Sequence, residues 1–291
     1  MSVRSVCAVI VTYHPSAETL ENIKLILTQV DGLVVVDNGS DAQELIPLQT
    51  SSRESRFRLI ENSENCGVAE ALNQGIGWAK SQGYAWVVLF DQDSAVTHHF
   101  IEQMFASLES HPQHERVASI HPRYVDRNTG VEPPIRRAKD GGPIISMTSG
   151  ALMPMWIFDR IGYFASDFFM DCVDHEYCFR VRAAGFYIAD SRQAVLLHSP
   201  GHPAAIKVWG FSFLPTHHNP IRRYYMSRNR VVVYRKYIRV FPAWILRYVY
   251  VSFRETIKCF LAERDRAHNF RYFLLGTWDG LTGRMGRREC L

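Results

Sequence analysis

The sequence predicts an α/β fold with a mostly parallel sheet flanked by helices, followed by a basic, mainly helical C-terminal extension. Three observations predict it. Short runs rich in Val, Ile and Leu alternate with helix-length amphipathic segments through residues 5–91, the pattern of βαβ units. The strand-like runs end in polar residues, as strands do when a ligand sits at their carboxyl ends. Charge divides along the chain: residues 1–200 hold 16 Lys and Arg against 24 Asp and Glu, and residues 201–291 hold 17 against 5. Such a split marks a surface for phosphates, nucleic acid or anionic lipid, or a basic solvated face.

Each element has its own signal. SVCAVIVT (5–12) reads as a buried strand. SAETLENIKLILTQV (16–30) reads as a helix capped by Ser16, with Glu18 and Glu21 early in it. GLVVVDNGS (32–40) is a strand closed by an Asn-Gly turn, and RFRLIEN (56–62) is another strand. GVAEALNQGIGWAKSQG (67–83) repeats Val68, Ala71, Leu72, Ile76 and Ala79 at helical spacing, and YAWVVLFD (84–91) is the next strand. Residues 122–143, rich in Arg, Pro, Gly and Asp, read as an exposed loop. PIISMTSGALMPMWIFDRIGYF (143–164) reads as a short strand, then Thr-Ser-Gly, then a short helix. A helix from about Asp174 aligns Tyr177, Cys178, Val181 and Ala184, with Gly185 as its stop. QAVLLHSPGH (193–202) is a strand with His198 at its exit.

Composition excludes several classes. The chain has 291 residues, 47% of them hydrophobic, enough for one large domain or one domain plus an extension. The N-terminal apolar run is too short for a signal peptide, and no stretch of 18 apolar residues occurs, so neither a leader nor a membrane span is expected. The six cysteines, at 7, 66, 172, 178, 259 and 290, form no CxxC pair and read as reduced thiols. No GxGxxG and no GxxxxGK[ST] is present, so the usual phosphate cradles are missing.

The chemistry-bearing residues lie at strand exits: Thr12, Asp37 with Asn38, and Asp91 with Asp93. Two acids at i and i+2 after an apolar strand suit a divalent cation that also holds phosphate oxygens, or else a solvated turn. Asp174 suits a helix start, where an acid is favoured by the dipole. His198 suits a metal ligand or a satisfied polar residue.

Taken in order, VIVTYHP (9–15), VVVDNGS (34–40), ENCGVAEALNQGI (64–76), FDQDS (90–94), TSGAL (148–152), FFMDCVDHEYCFRVRAAGF (168–186), NPIRRYYMSRNRV (219–231) and GTWDGLTGRMGR (276–287) resemble the family 2 glycosyltransferases of GT-A fold, a Rossmann-like architecture. Gln92, NPIRRYYMSRNRV and GTWDGLTGRMGR are similar to the bacterial rhamnosyltransferase branch. The resemblance implies a nucleotide-sugar site from Thr12, Tyr13, Asp37, Asn38, Gly67, Asn73, Asp91, Gln92 and Asp93. It implies a divalent cation, Mg or Mn, on Asp91, Asp93 and His198. It makes Asp174 the catalytic base, with Asp171 as the fallback, and puts Ser149, Gly150 and Glu176 on the acceptor side. Arg222 and Arg228 could hold a donor or acceptor phosphate. Two positions depart from the family pattern: Val173 stands where many relatives carry an acid, and Asn38 where many carry Asp.

The expectation is therefore a metal-dependent inverting transferase moving L-rhamnose from dTDP-L-rhamnose to a saccharide acceptor, lipid-linked, of a bacterial surface polysaccharide. A rhamnolipid-type transferase acting on a glycolipid is the near alternative. A sugar-phosphate nucleotidyltransferase would carry a Gly-rich basic loop where VTYHPSAETL stands, and the presence of Asp91, Asp93, Asp174 and His198 together argues against a non-catalytic nucleotide-sugar-binding protein. Residues 1–202 are expected to form the catalytic domain and 203–291 a basic helical extension. In 241–262, Phe241, Trp244, Ile245, Tyr248 and Val249 share a helical face, and Arg247, Arg254 and Lys258 form a basic stripe. That pattern suits an anionic membrane surface, with the protein cytoplasmic and peripheral at the inner face, or packing on the catalytic domain or a second subunit in a homo-oligomer. No nucleic-acid motif accompanies the charge.

Overall fold

The structure is a computed structural model and describes residues 4–51, 55–198, 206–208, 211–213, 219–262 and 266–288. In chain order the elements are β1 (Val6–Thr12), α1 (Ala17–Leu27), β2 (Gly32–Asp37), α2 (Ala42–Ser51), β3 (Phe57–Glu61), α3 (Val68–Ser81), β4 (Trp86–Asp91), β5 (Ala95–Val96), α4 (Phe100–Glu109), β6 (Val117–Asp126), β7 (Leu152–Pro154), α5 (Trp156–Ile161), α6 (Val173–Ala183), β8 (Tyr187–His198), β9 (Ile206–Val208), β10 (Phe211–Phe213), α7 (Pro220–Tyr237), α8 (Pro242–Ala262) and α9 (Arg266–Thr282). They fall into two compact units, one of Met1–Ser166 with Tyr177–Pro200, the other of Asp167–Glu176 with Gly201–Leu291.

The first unit is built on an eight-stranded sheet of order β3-β2-β1-β4-β7-β6-β8-β5. The pairs β3-β2, β2-β1 and β1-β4 are parallel, as is β6-β8, whereas β7 runs antiparallel to both β4 and β6. Buried on both faces, β1 and β2 are near-continuous Val, Ile and Leu rather than alternating. Ser16 and Thr19 form a reciprocal capping box that starts α1 where the sequence predicts it. Gly75 lets α3 lie directly on the sheet, since a Cβ there would come 2.4 Å from Val9 Cγ1. His121 is buried in β6; its ring bonds the Ser119 hydroxyl and the Met147 carbonyl, and burial pushes the imidazole down to about 4.

The structure differs from expectation in four places. Helices α2 and α4 are additional to the elements read from the sequence; α2 contains Pro47, and α4 starts at His99 without a side-chain cap. The expected strand before Thr-Ser-Gly is absent among the described residues, and the strand instead follows it as β7, paired with β4 through Val88 and Leu152. β6 runs on to Asp126, so the exposed loop begins later than 122. β8 begins at Tyr187, because its register with β6 starts there.

In the second unit, Asn219 caps α7 by accepting the Ile221 amide, with Pro220 in the first turn where its missing N–H costs nothing. α7 and α9 meet at backbone range. A Cβ on Gly276 would lie 2.2 Å from both Tyr224 O and Ser227 Oγ, and one on Gly280 would lie 2.6 Å from Arg228 O. Asp279, between those glycines and almost fully buried, accepts the Tyr224 hydroxyl at 2.6 Å and pairs with Arg288. The apolar face expected on α8 is largely turned inward: Ile245 is buried and Phe241, Trp244 and Tyr248 are half-buried, while Val249 is exposed. A second apolar stripe, Leu246, Val249, Tyr250, Phe253 and Ile257, is exposed beside Arg247 and Arg254. Lys258's side chain lies outside the described residues.

Candidate active site

In the first unit the parallel register sets Thr12 beside Asp37 and Val11 beside Asp91, so three strand exits adjoin one another. Asp37 is wholly buried, and its carboxylate organises the turn after β2. Oδ1 accepts the Gly39 and Ser40 amides at 3.1 and 2.8 Å, and Oδ2 accepts the Thr12 and Ser40 hydroxyls at 2.9 and 2.6 Å. Four charge-assisted bonds repay the burial of that carboxylate. Asn38, also buried, accepts the Cys66 amide at 3.0 Å and donates to Asn65 Oδ1 at 3.0 Å. Gly67 follows at φ 89 and opens α3, with its amide on Asn65 Oδ1. The side chains of Thr12, Asp37 and Asn38 thus fix the loops at the strand exits. Tyr13, by contrast, is 46% exposed. Its neighbour His14 pairs with Glu44 at 2.7 Å, which raises the imidazole above its ordinary value.

Asp91 and Asp93 are half-buried at the exit of β4, in a loop tied down from two sides. The Asp91 amide donates to Ser149 Oγ at 3.3 Å, Ser149 bonds Ser94 at 2.6 Å, and the Gly150 amide returns to Leu89 O at 2.6 Å. Gly150 has φ 78, and a Cβ there would meet the Pro122 ring at 2.6 Å, so Thr-Ser-Gly needs its glycine to buttress β4. From the other side the Tyr13 amide donates to Gln92 Oε1 at 2.8 Å. Gln92 therefore links the loop of the two acids to the turn after β1. The two carboxylates are hard oxygen donors, and that donor set fits Mg or Mn. His198 ends β8 opposite Asp126 in the backbone register; its side chain lies outside the described residues.

Three expected contacts are corrected here. Ser149 is 1% exposed and supports Asp91, so it does not face an acceptor. Asn73 holds the 164–166 loop, donating to Phe164 O at 2.8 Å and accepting the Phe164 amide at 3.0 Å. In the second unit Glu176 is buried on Lys236 at 2.7 Å and the Tyr237 hydroxyl at 2.9 Å, a packing pair and not a ligand group.

The second unit carries the other two acids. Residues 167–172 form an unusual turn: Phe169, Asp171 and Cys172 have φ of 62°, 57° and 60°. Left-handed backbone costs a non-glycine residue roughly 1 kcal/mol, so the turn must be held from outside. Asp171 pairs with Arg222 through both Nε and Nη2, at 3.1 Å each. Burial nevertheless pushes the Asp171 carboxyl above its ordinary value, the arginine opposing the shift. Asp174 lies in the first turn of α6, its side chain a quarter exposed. Its Oδ1 accepts the His175 amide at 2.8 Å, and among the described residues nothing takes Oδ2.

Arg228 is a further correction. It is fully buried, and its guanidinium donates to the carbonyls of Asp167, Phe168 and Gly286 over Tyr225, so it has no reach to a phosphate. Arg222 is the exposed cation of that pair. The residue that the sequence reading passed over is Asn229, next in the same Ser-Arg-Asn-Arg run, which is equally buried and donates to three carbonyls of the turn.

The comparisons agree with this architecture. The family model described as Glycosyl transferase family 2 matches residues 7–170. dTDP-rhamnosyl transferase RfbF of Shigella flexneri is 26% identical over 305 residues, covering 97% of both chains. Among solved structures, the mannosyltransferase PcManGT from Pyrobaculum calidifontis, in complex with GDP-Man and Mn2+, matches at a TM-score of 0.63 with 15% identity, over 96% of this chain and 88% of its own. TarS 1-349 of S. aureus matches at 0.57 with 11% identity, over 96% and 72%. At those identities the two structures speak for a shared GT-A-like fold.

Proposed function

The chain belongs to glycosyl transferase family 2, and from that premise we propose that it is an inverting transferase moving L-rhamnose from dTDP-L-rhamnose to a saccharide acceptor of a bacterial surface polysaccharide. The observation that carries the sugar is the full-length likeness to a dTDP-rhamnosyl transferase. The acceptor of this reading is lipid-linked.

The chemistry follows from residue types. Asp91 and Asp93 would hold a divalent cation, which when bound offsets charge on the departing diphosphate. The chain's own work there is to keep both carboxylates at the strand exit, through Ser149 and Gln92. Asp174 takes the acceptor hydroxyl's proton as that oxygen attacks the anomeric carbon. Asp174 suits the role better than Asp171, because Asp171 is engaged by Arg222 on both sides of its carboxylate, whereas Asp174 keeps one oxygen unpaired among the described residues.

The test is transfer from a panel of donors to an extracted lipid-linked acceptor with Mn2+ present. dTDP-L-rhamnose should give the highest kcat/KM; preference for UDP-glucose or GDP-mannose would remove the rhamnose assignment and leave the transferase.

The same reading includes a membrane-facing surface on the second unit, at the cytoplasmic face. Leu246, Tyr250 and Phe253 on α8 and Phe270, Leu274 and Trp278 on α9 are exposed. Arg247, Arg254 and Arg271 are exposed on the same two helices, and Asp279 is buried. An apolar stripe flanked by arginine fits an anionic bilayer. No helix among the described residues is long and apolar enough to cross a membrane. In co-sedimentation, vesicles containing phosphatidylglycerol should retain the protein at low salt and release it at high salt. Equal retention on neutral vesicles, or dimers with no vesicle binding, would leave the surface to another partner.

A further inference from the structure

We infer that Asn229 is a positioning residue for the proton acceptor: with Arg228, it holds the turn 167–172 in the conformation that aims the first turn of α6 and its Asp174. The inference rests on Asp174 being the base.

Three residues of that turn are left-handed, and none is glycine. The carbonyls of Phe168, Met170 and Asp171 all come within reach of one atom, Asn229 Nδ2, at 2.9, 2.7 and 2.9 Å. Two amide hydrogens serve three acceptors, so at least one hydrogen is shared. The amide's orientation is fixed as well, because its Oδ1 accepts from Arg228 Nε at 2.9 Å. Arg228 adds donors to Asp167 O at 3.1 Å and Phe168 O at 3.0 Å. Both side chains are fully buried.

Every bond from the pair to the turn goes to main chain, so the pair reads the path of the turn and not the identity of its side chains. Asp171 and Asp174 both leave from that path: one belongs to the turn, and the other follows Cys172 by two residues. Glycines would allow the same backbone without help. The sequence instead uses Phe, Asp and Cys and a buried amide to hold them, an arrangement that restricts the turn to one shape. Restricting the carriers of a reacting group is preorganisation, and a small misplacement of such a group lowers turnover without lowering affinity elsewhere.

The experiment is a double-mutant cycle on the full chain. Asn229→Asp keeps size and Oδ1 but offers the three carbonyls no donor. It should lower kcat at least about tenfold, with dTDP affinity in Mn2+ unchanged within about twofold. In an Asp174→Asn background the same substitution should cost less than about twofold, because a residue that acts through Asp174 has nothing left to position. Equal losses in both backgrounds, or parental kcat in Asn229→Asp, overturns the inference. If Asn229→Asp yields no folded protein, Arg228→Lys, which gives up the forked donors, takes its place in the cycle with the same two outcomes. Full turnover in Asp174→Asn alone overturns the base assignment instead, a result distinct from either.

Discussion

Asp174→Asn is expected to lose at least about a hundredfold in kcat while binding dTDP as the parent does, the usual scale for a missing general base. Asparagine matches aspartate in size and retains the oxygen that accepts the His175 amide, so the start of α6 should survive. What disappears is the ability to take a proton. The loss should therefore fall on kcat at saturating donor and acceptor, and a dTDP-induced rise in melting temperature should persist, because donor contacts are assigned to the other unit. Asp171→Asn is the control. It breaks the Arg222 pair, so its effect should include stability, whereas that of Asp174→Asn should be confined to turnover. Normal turnover in Asp174→Asn together with a dead Asp171→Asn would move the base one turn back.

Asp93→Ala is expected to lower kcat by roughly a hundred- to a thousandfold, several kcal/mol of charge stabilisation at about 1.4 kcal/mol per decade. It should also raise the Mn2+ concentration needed for half-maximal rate. Asp93 is the cleaner target of the two acids. Asp91 ends β4 in the sheet register, and its amide is bonded to Ser149, so replacing it risks disturbing the strand. Asp93 follows the strand, and alanine there removes the proposed ligand atom without removing a ladder contact. Full turnover with unchanged metal dependence would show that the loop of the two acids does not hold the cation.

Most of the sheet was legible because its strands are long apolar runs with polar exits, and their order forces parallel pairing. β1, β2, β3 and β4 fall where the periodicity put them, and the register brings Thr12, Asp37 and Asp91 to one rim. The strand lies after Thr-Ser-Gly and not before it because, among the described residues, Pro-Ile-Ile-Ser-Met makes only an isolated bridge between Pro143 and Arg137, whereas Leu152–Pro154 pairs with both β4 and β6. Helix α4 carries Ile101, Met104, Phe105 and Leu108 at helical spacing, yet lacks a capping residue to announce it.

The site was legible by residue type and much less by role. Asp37 and Asn38 are polar side chains at a strand exit, which suggests ligand contact, but their partners are amides and hydroxyls of the neighbouring turns. Arg228 has the charge that a phosphate wants, and only burial reveals that carbonyls take its donors. Apolar runs foretell their own burial, but the burial of a single arginine depends on tertiary partners that its neighbours in sequence do not encode. A small sign was present for Asn229: an amide between two arginines in a helix has poor helix propensity, and such a residue is kept for what its side chain bonds.

The turn 167–172 takes its partners from residues that follow it at a distance, Arg228 and Asn229 in α7 and Gly286 past α9. A ribosome delivers these parts in sequence. The strands β1 to β4 can pair while most of the chain is still unmade, but Asp167 finds the Gly286 amide only when synthesis is almost complete. During translation the parallel strands can therefore come first and the fully held turn 167–172 last. A chain stopped short of Gly286 would hold its strand exits yet lack one of the contacts that fix the turn before Asp174.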